Sequence, residues 1–259
     1  MTRTTTDVAP DSAGEAEAST EAETMTESEA PTEAEPTTES AVDRAIAAFQ
    51  RGDPVLVHDA ADREGETDIV YPAGAVDADA VVRLRSDAGG LVCTAVSDDV
   101  ADAFGLPFLE DELDHPAAAD HDLAYDDRSS FSLPVNHRET FTGITDDDRA
   151  LTIRRLAAAA STARTPDSDY DASDFAADFR TPGHVHVLRG APDLLADRRG
   201  HTELGLALAD AADLPPAVVV CEMLDAESGG ARTPTAALEY ARRNDLVYVE
   251  GADILEHLG

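Results

Sequence analysis

Residues 54–73 read PVLVHDAADREGETDIVYPA and set two apolar runs on either side of a highly charged segment. The runs PVLVHDA (54–60) and IVYPA (69–73) are rich in β-branched residues, which predicts two strands. The segment between them, DREGETD (62–68), holds four carboxylates, one arginine and one glycine. Binding sites of α/β proteins collect where strands end, so this charged segment is the first candidate for a functional site.

The rest of the chain alternates between helical and extended patterns. Predicted helices cover residues 40–52, 77–90, 97–105, 145–161, 201–214 and 233–245. Further strands are predicted at residues 90–96, 129–136, 183–189, 217–223 and 246–251. This alternation predicts an α/β fold, and residues 41–259 have a suitable length for one domain.

Residues 1–40 differ in composition from the rest of the chain. They consist mainly of Thr, Glu, Ala, Ser and Pro, with eleven acidic residues and one arginine. A segment with so few large apolar side chains cannot bury enough surface to offset its chain entropy. We therefore expect a disordered acidic tail, for which a solubilising role is favoured over a binding role.

The charge of the whole chain restricts its chemistry and its partners. The 259 residues include 54 acidic and 19 basic residues, for a formal net charge of −35, and every basic residue is an arginine. Without lysine, the chain cannot form a lysine Schiff base or a P-loop. The acidity predicts adaptation to high salt, and it argues against nucleic acid or an anionic membrane as a partner.

Two further features indicate where the protein works. No apolar run approaches the roughly 20 residues that a membrane helix needs. The two cysteines, Cys93 and Cys221, lie far apart in apolar runs and do not make a disulfide framework. We therefore expect a soluble, cytoplasmic protein.

The motif RRGHTE (198–203) comes directly before a predicted helix. Free N–H groups at a helix N-terminus bind phosphate, and Arg198 would add a planar fork of donors. His201 could bind a metal ion beside them. The alternative is a helix cap with an arginine on the surface.

Other candidate groups lie at strand ends and at a second helix start. His184 begins a strand after a Pro-Gly turn, where it is either a core residue bonded to backbone or a site residue. Glu222 ends an apolar run and is either an ion-pair partner or a base with a raised pKa. Thr142, Gly143 and Thr145 offer a second phosphate contact. Together with carboxylates that suit Mg²⁺, these groups predict a site for a phosphorylated, oxygen-rich small molecule.

Six motifs, taken in order, closely resemble the 3,4-dihydroxy-2-butanone 4-phosphate synthase family, particularly its archaeal form. The resemblance runs from about residue 41 to the end, on DREGETD (62–68), DAGGLVCTA (87–95), SSFSLPVNHRETFTGITDDDRA (129–150), RTPGHV (180–185), RRGHTE (198–203) and VVVCEM (218–223). It implies conversion of ribulose 5-phosphate to 3,4-dihydroxy-2-butanone 4-phosphate and formate, in riboflavin biosynthesis. It also implies a single sandwich-like α/β domain, with a mixed sheet and flanking helices, that forms a homodimer with its sites near the interface.

The resemblance implies roles for individual residues as well. Glu64 and His201 would bind Mg²⁺ or Mn²⁺, as one or two ions. Positions regarded as essential for catalysis fall on His184 and Glu222, and the further catalytic candidates are Asp59, Glu66 and Cys93. The substrate would be contacted by Arg63, Glu64, Asp68, Thr142 and Glu222, and its phosphate would be held by Arg198, Arg199, Gly200, His201 and Thr202.

Two alternatives stay open beside this interpretation. Another metal-dependent lyase or isomerase acting on a ketopentose phosphate would share the site, but it would not release formate. A non-catalytic sugar-phosphate-binding protein would keep the pocket without the chemistry. The presence of both His184 and Glu222 argues against the second alternative, because a decayed enzyme is expected to lose at least one such residue.

Overall fold

The computed structural model of the protein describes residues 39–59, 63–118 and 128–259. Residues 39–259 cluster as one compact unit. The acidic tail predicted at residues 1–40 lies outside the described residues except for its last two positions, and so does Asp62 of the charged segment. The expected boundary between tail and domain therefore stays a prediction.

Helices and strands alternate along the described chain, as the sequence predicts. The helices are α1 (Ala41–Arg51), α2 (Ala78–Arg83), α3 (Asp98–Phe104), α4 (Leu109–Glu112), α5 (Asp146–Ala163), α6 (Ala172–Asp178), α7 (His201–Ala211), α8 (Pro234–Arg243) and α9 (Gly251–Leu258). The strands are β1 (Val55–His58), β2 (Thr67–Pro72), β3 (Cys93–Val96), β4 (Val135–His137), β5 (Phe179–Arg189), β6 (Ala217–Glu222) and β7 (Val247–Glu250). A π-helical turn (Leu84–Ala88) and three short 3-10 segments complete the regular structure of these residues.

The strands form one mixed sheet in the order β4-β5-β3-β6-β2-β1-β7. The pairs β1–β7 and β3–β5 are parallel, whereas β1–β2, β2–β6, β3–β6 and β4–β5 are antiparallel. Strands β6 and β2 lie in the middle of the sheet, and their side chains are almost all buried. The predicted α/β class with a single mixed sheet is confirmed.

Helices cover both faces of the sheet and enclose two apolar cores. One core packs Ile153 and Leu156 of α5 and Phe104 of α3 against β6 and β2. The other packs Leu204 and Leu208 of α7 against the opposite face, together with α1 and α9. Each fully buried Leu or Ile side chain contributes roughly 1.5–3 kcal/mol relative to exposure, so both layers hold the central strands firmly.

Side chains fix the starts of α1 and α5. Ser40 and Asp43 form a capping box at α1, since the Ser40 hydroxyl accepts the Asp43 N–H and the Asp43 carboxylate accepts the Ser40 N–H. At α5 the Thr145 hydroxyl accepts the Asp148 N–H at 3.1 Å. The Asp148 carboxylate instead accepts N–H groups from the preceding loop, including that of Gly143 at 2.8 Å.

The strand predicted at residues 129–136 is wrong in its extent, because β4 covers only Val135–His137. Pro134 has no N–H to donate and interrupts the ladder. The residues before it make separate contacts with β5, in which Ser130 O accepts the Arg189 N–H and the Ser132 N–H donates to Val187 O, both at 2.8 Å. The prediction also missed α4, α6 and α9.

No helix in the described part of the chain is both long enough and apolar enough to cross a bilayer.

Candidate active site

The candidate site lies at one end of the central strands, on the face that α7 covers. Asp68 on β2 is directly opposite Glu222 on β6. Two residues earlier on β6, Val220 is opposite Cys93 of β3, which also pairs with His186 of β5. Because strand residues two apart point to the same face, Asp68, Glu222 and Cys93 share one face of the sheet.

Asp59, the residue after β1, binds the backbone of the charged segment through its side chain. Its side chain is fully buried, and its two oxygens accept the backbone N–H groups of Glu64 (3.3 Å) and Glu66 (3.0 Å). The Arg63 Nε lies 4.0 Å from the Asp59 carboxylate. Gly65 adopts a left-handed φ of 66°, which allows the tight turn between the two glutamates. Asp59 thus fixes the loop that presents Glu64.

The N-terminus of α7 brings His201 against these acids. Asp59, Glu64 and His201 each offer one ligand atom, and the three atoms lie within 4.8 Å of one another. The His201 Nδ1 is 3.6 Å from Glu64 Oε2 and 3.6 Å from Asp68 Oδ1. Among the described residues, neither His201 Nε2 nor Asp68 Oδ1 has a hydrogen-bond partner, although both atoms are buried. Buried unpaired donors and acceptors around one imidazole are what a bound cation would satisfy, so these residues fit a divalent metal ion.

The electrostatics of the cluster favour bound protons when no cation is present. Burial alone would lower the pKa of His201, but Asp68, Glu64 and Asp59 outweigh burial and raise it to about 9. Burial, with the nearby Glu222 and Glu64 carboxylates, raises the pKa of Asp68 to about 8. The hydrogen bond with His201 lowers the pKa of Glu64. Burial raises the pKa of Glu66, with the charges of Glu64 and Glu222 adding to the effect.

A cavity of about 330 Å³ opens beside this cluster. One part of its wall is acidic or metal-binding, and the other part carries arginines and hydroxyls. The acidic or metal-binding part consists of Glu64, Asp68, His201 and Glu222. The part with arginines and hydroxyls consists of Arg128, Ser129, Ser130, Arg198 and Thr202. The remaining lining residues are Cys93, Phe131, Leu188 and Val220. The arrangement can hold a small molecule with a cation-binding end and an anionic end.

Arg198 and Thr202 meet at the start of α7, as the RRGHTE motif predicts. Gly200 is the N-cap, and a β-carbon there would lie 2.6 Å from the Arg198 guanidinium, so glycine lets that side chain fold over the helix start. Arg198 Nη1 donates to the fully buried Glu203 at 2.7 Å, which anchors the guanidinium. Arg199 is exposed. Of the predicted phosphate-binding residues, Arg198, His201 and Thr202 line the cavity.

Glu222 reaches the cavity from the end of β6 and is held by backbone. The Leu91 N–H donates to Glu222 Oε2 at 2.8 Å. Cys93 lines the same wall, where burial raises the pKa of its thiol well above the ordinary value. The Cys93 side chain is therefore a neutral, apolar part of the wall near neutral pH.

His184 and Thr142 are placed differently from the other predicted residues, since neither lines this cavity. His184 is exposed in the middle of β5, where its N–H donates to Asn136 Oδ1 at 2.8 Å and its Nδ1 lies 3.1 Å from Asn136 Nδ2. It precedes His186 by two positions, so the register places it two strands from Glu222, roughly 10 Å away. Thr142 is also exposed, and its N–H donates to Asp148 at 3.1 Å.

The predicted second phosphate contact is weakened by this arrangement. The N–H groups of Phe141, Thr142 and Gly143 all donate to the Asp148 carboxylate, so they are already engaged. A β-carbon on Gly143 would lie 2.1 Å from Asn136 Nδ2, so the loop packs directly on the residue that holds His184. Residues 141–143 and His184 therefore lie together around Asn136, outside the cavity lining.

The prediction missed part of the cavity wall. The sequence predicts only a strand at residues 129–136. In the structure, Ser129 and Ser130 line the cavity, and so does Arg128 directly before them. A signal for them was present, because an arginine and two serines directly before an apolar residue are unusual in a buried strand. No sequence signal marks the Leu91 N–H, since every residue but proline carries one.

The fold and this cavity define a class, namely α/β proteins with a buried carboxylate–histidine cluster suited to a divalent cation and an arginine-bearing wall suited to an anion. The family profile that describes 3,4-dihydroxy-2-butanone 4-phosphate synthase matches residues 43–257. The chain therefore belongs to the 3,4-dihydroxy-2-butanone 4-phosphate synthase family.

Individual relatives agree with this assignment. The chain is 48% identical over 225 residues to the 3,4-dihydroxy-2-butanone 4-phosphate synthase of Archaeoglobus fulgidus, covering 83% of this chain and 92% of the relative. Identity to the enzyme of the same name from Methanosarcina mazei is 44%, with 83% and 90% covered. A solved synthase structure described as a complex with two magnesium ions superposes with a TM-score of 0.67 at 29% identity, covering 84% of this chain and 96% of that one.

Proposed function

We propose that this protein is a lyase that converts D-ribulose 5-phosphate to L-3,4-dihydroxy-2-butanone 4-phosphate and formate, with Mg²⁺, as a step of riboflavin biosynthesis. The observation that carries the proposal is the family match over residues 43–257, which spans every candidate site residue. Relatives that bear this enzyme's name are up to 48% identical over most of their length.

The residues that would hold Mg²⁺ are Glu64 and His201, with Asp59 behind them. Asp68 and His201 carry the buried unpaired atoms that a cation would satisfy. The similar synthase structure described above is a complex with two magnesium ions. Mn²⁺ accepts the same oxygen and nitrogen donors. When bound, the cation stabilises negative charge that develops on oxygens of the substrate.

The remaining residues bind and orient the sugar phosphate. Arg198 suits the phosphate through its positive charge, and Thr202 lies in the first turn of α7, at the end of a helix that favours anions. Arg63, within the charged segment, lies beside Asp59, with its Nε 4.0 Å from the Asp59 carboxylate. This orientation would place the ketone end of the substrate towards Glu64, Asp68 and Glu222.

Proton transfer falls to carboxylates and an imidazole. The reaction begins with removal of a proton next to the ketone, and Glu222 is the carboxylate that a hydrogen bond already orients at the cavity wall. His184 is the second group that we propose for proton transfer. Water is then lost from C1 and the carbon skeleton rearranges. A water molecule adds to C4, the bond between C4 and the remaining skeleton breaks, and C4 leaves as formate.

We propose further that the protein acts as a homodimer. His184 sits beside a loop that exposes Phe141 (93%) and Ile144 (52%), and Leu91 and Phe131 near the cavity are also partly exposed. Contiguous exposed apolar side chains mark protein interfaces. A second copy covering this edge would bring His184 and Thr142 into an enclosed site.

We also propose a reducing, cytoplasmic location for this reaction. Its support is that Cys93 and Cys221 are both free thiols.

The activity is tested by incubating the protein with ribulose 5-phosphate and Mg²⁺ in molar KCl and measuring formate. One formate per ribulose 5-phosphate, abolished by EDTA and restored by excess Mg²⁺, is the expected result. Consumption of the substrate without formate would support another ketopentose-phosphate lyase or isomerase. No consumption by folded protein would support a binding role.

A further inference from the structure

A short segment beyond the cavity holds the end of β6 that carries Glu222. Residues 87–91 run antiparallel to residues 222–224, with the Gly90 N–H donating to Glu222 O (3.0 Å) and the Leu224 N–H donating to Ala88 O (2.8 Å). The next donor along the segment is the Leu91 N–H, which binds the Glu222 carboxylate at 2.8 Å. The position of this carboxylate therefore depends on the position of residues 87–91.

An irregular turn delivers this segment to β6. The turn Leu84–Ala88 is π-helical, and the Gly89 N–H donates to Leu84 O at 2.9 Å across five residues. Gly89 then adopts a φ of 92°, which favours glycine. Such π turns inside helices are often found at functional sites, since the extra residue redirects the chain.

Two side chains from the far side anchor the beginning of the segment. The Tyr240 hydroxyl of α8 donates to Asp87 Oδ2 at 2.6 Å. The Arg232 guanidinium donates to Asp87 O at 3.1 Å and to Leu224 O at 3.3 Å, which ties the two antiparallel stretches together. Tyr240 is 8% exposed, so this anchor is shielded from water. None of these three side chains lines the cavity.

The approach of the segment to Glu222 leaves no free space. A β-carbon on Gly90 would lie 2.3 Å from Glu222 Oε2 and 2.6 Å from the Glu222 carbonyl oxygen. The Leu91 N–H can reach the carboxylate only because residue 90 has no side chain. Small displacements of residues 87–91 will therefore change the orientation of Glu222 directly.

We propose that Asp87 and Tyr240 are positioning residues for the reaction, and that they act through the Leu91 N–H on the carboxylate of Glu222. The proposal rests on the proposed function, because it assigns a role to residues that support Glu222 in that reaction. Tyr240 and Asp87 hold the π turn, the turn places residues 90 and 91, and the Leu91 N–H fixes the carboxylate. The binding of cation and phosphate uses other residues and should not depend on this arrangement.

The test measures kcat, KM and Mg²⁺ affinity for Tyr240→Phe, Asp87→Ala and Asp87→Asn by formate release. Loss of one hydrogen bond that orients a reacting group should lower kcat about tenfold, the equivalent of about 1.4 kcal/mol, in Tyr240→Phe and Asp87→Ala. KM and Mg²⁺ affinity should stay within about twofold of wild type, since a group that acts only on the reacting carboxylate does not alter ground-state binding. Asp87→Asn keeps an oxygen that accepts the Tyr240 hydroxyl, so it should recover most of the kcat.

The matched control is Tyr170→Phe, which removes a buried phenol oxygen that has no hydrogen-bond partner among the described residues. Its kcat should equal that of wild type. The proposal is overturned if Tyr240→Phe keeps the wild-type kcat, if KM or Mg²⁺ affinity changes in parallel with kcat, or if Tyr170→Phe loses as much. Absence of formate from wild-type protein would instead contradict the proposed function itself, so the two failures are distinguishable.

Discussion

At the scale of single residues, the site depends on a contrast between its two glutamates at the cavity. Glu64 faces His201 across 3.6 Å and belongs to the cluster that fits a cation. Glu222 is instead bound by a backbone N–H and faces Asp68 across the strand pair. These surroundings support the two proposed roles, in which Glu64 binds the cation and Glu222 transfers a proton.

Glu64→Gln tests the cation-binding half of this division. The amide keeps the shape but loses the charge, so Mg²⁺ affinity measured by calorimetry should fall more than about 100-fold, beyond the usual effect of changing a residue that only supports a metal ligand. Glu139→Gln is the control, because Glu139 is an exposed glutamate whose side chain is 63% accessible. Unchanged Mg²⁺ affinity in Glu64→Gln would show that the cation binds elsewhere.

The raised pKa values of His201 (about 9) and Asp68 (about 8) predict a pH dependence of stability without metal. Both groups bind protons more tightly in the folded state than in the unfolded state. Their contribution is therefore complete below the unfolded pKa of each group and is lost as pH rises towards 8 and 9. In EDTA, Tm should fall between pH 6.5 and pH 9.

Mg²⁺ should reverse this trend, since a cation competes with the same protons and its affinity rises with pH. Thermal unfolding followed by circular dichroism, with and without Mg²⁺, measures both effects. A Tm in EDTA that stays constant or rises over this range would contradict the assignment of protons to the cluster.

At the scale of elements, α7 is the part of the fold that joins the proposed cation site to the proposed phosphate site. Its first residues are His201 and Thr202, and its body lies on β6 and β2. The contact is closest at Gly205, where a β-carbon would lie 3.0 Å from Val218 and 3.1 Å from Val70. The positions of His201 and Thr202 are therefore set by how closely α7 packs on the sheet.

Gly205→Val should displace α7 from the sheet and separate His201 from Glu64. We expect Mg²⁺ affinity to fall about 10- to 100-fold, as for other changes in the support of a metal ligand. Ala211→Val places the same side chain at an exposed position of the same helix and should change nothing. Equal Mg²⁺ affinity in both variants would show that the depth of α7 does not control the site.

Some of the helices and strands can be predicted from the sequence, and others cannot. The strands β1 and β6 and the starts of α1, α5 and α7 follow from local patterns, because apolar periods and caps are encoded within a few residues. The short strand β4 could not be predicted in its extent, since Pro134 breaks a pattern that otherwise continues.

Long-range contacts explain the remaining differences at the site. The proximity of Glu64 to His201 came from resemblance, because nothing local joins residues so far apart in the chain. That Asp148 would take the N–H groups of residues 141–143 was not visible, since a loop can offer the same groups to a ligand. The residue types at Arg128 and Ser130 indicate a polar segment, but their place in the cavity wall depends on how that segment crosses β5, which the sequence does not show.

At the scale of the whole molecule, the dominant property is a formal net charge of −35. Exposed carboxylates repel one another, and salt screens that repulsion over a Debye length of about 10 Å at 0.1 M and about 3 Å at 1 M. The buried cation site is screened much less. Salt should therefore act mainly on folding and association, whereas the chemistry at the site should depend on the cation.

The corresponding prediction is that Tm rises with KCl. Between about 0.1 M and 2 M KCl we expect a gain of at least about 4 °C, which corresponds to roughly 1–2 kcal/mol for a domain of this size. Scanning calorimetry at fixed pH measures it, with an equal osmolality of sucrose as the control for general solvent effects. A Tm that falls with KCl would contradict the interpretation of the acidic surface as an adaptation to salt.

The homodimer proposed above, with its interface around His184, is also a property of the whole molecule. Phe141→Asp places a charge on the most exposed apolar side chain and should convert a dimer to a monomer in sedimentation equilibrium. We expect formate release to fall with the dimer fraction, because His184 and Thr142 would no longer be enclosed. Glu139→Asp is a nearby exposed control. A wild-type protein that sediments as a monomer and is fully active would contradict the dimer.

In the proposed reaction, this chain breaks the carbon skeleton of ribulose 5-phosphate and releases C4 as formate. This is tested with ribulose 5-phosphate labelled with ¹³C at C4, by following the products by NMR in the presence of Mg²⁺. We expect the label to appear in formate and the four-carbon phosphate to be unlabelled. Label retained in a phosphorylated product, or formate without label, would contradict it.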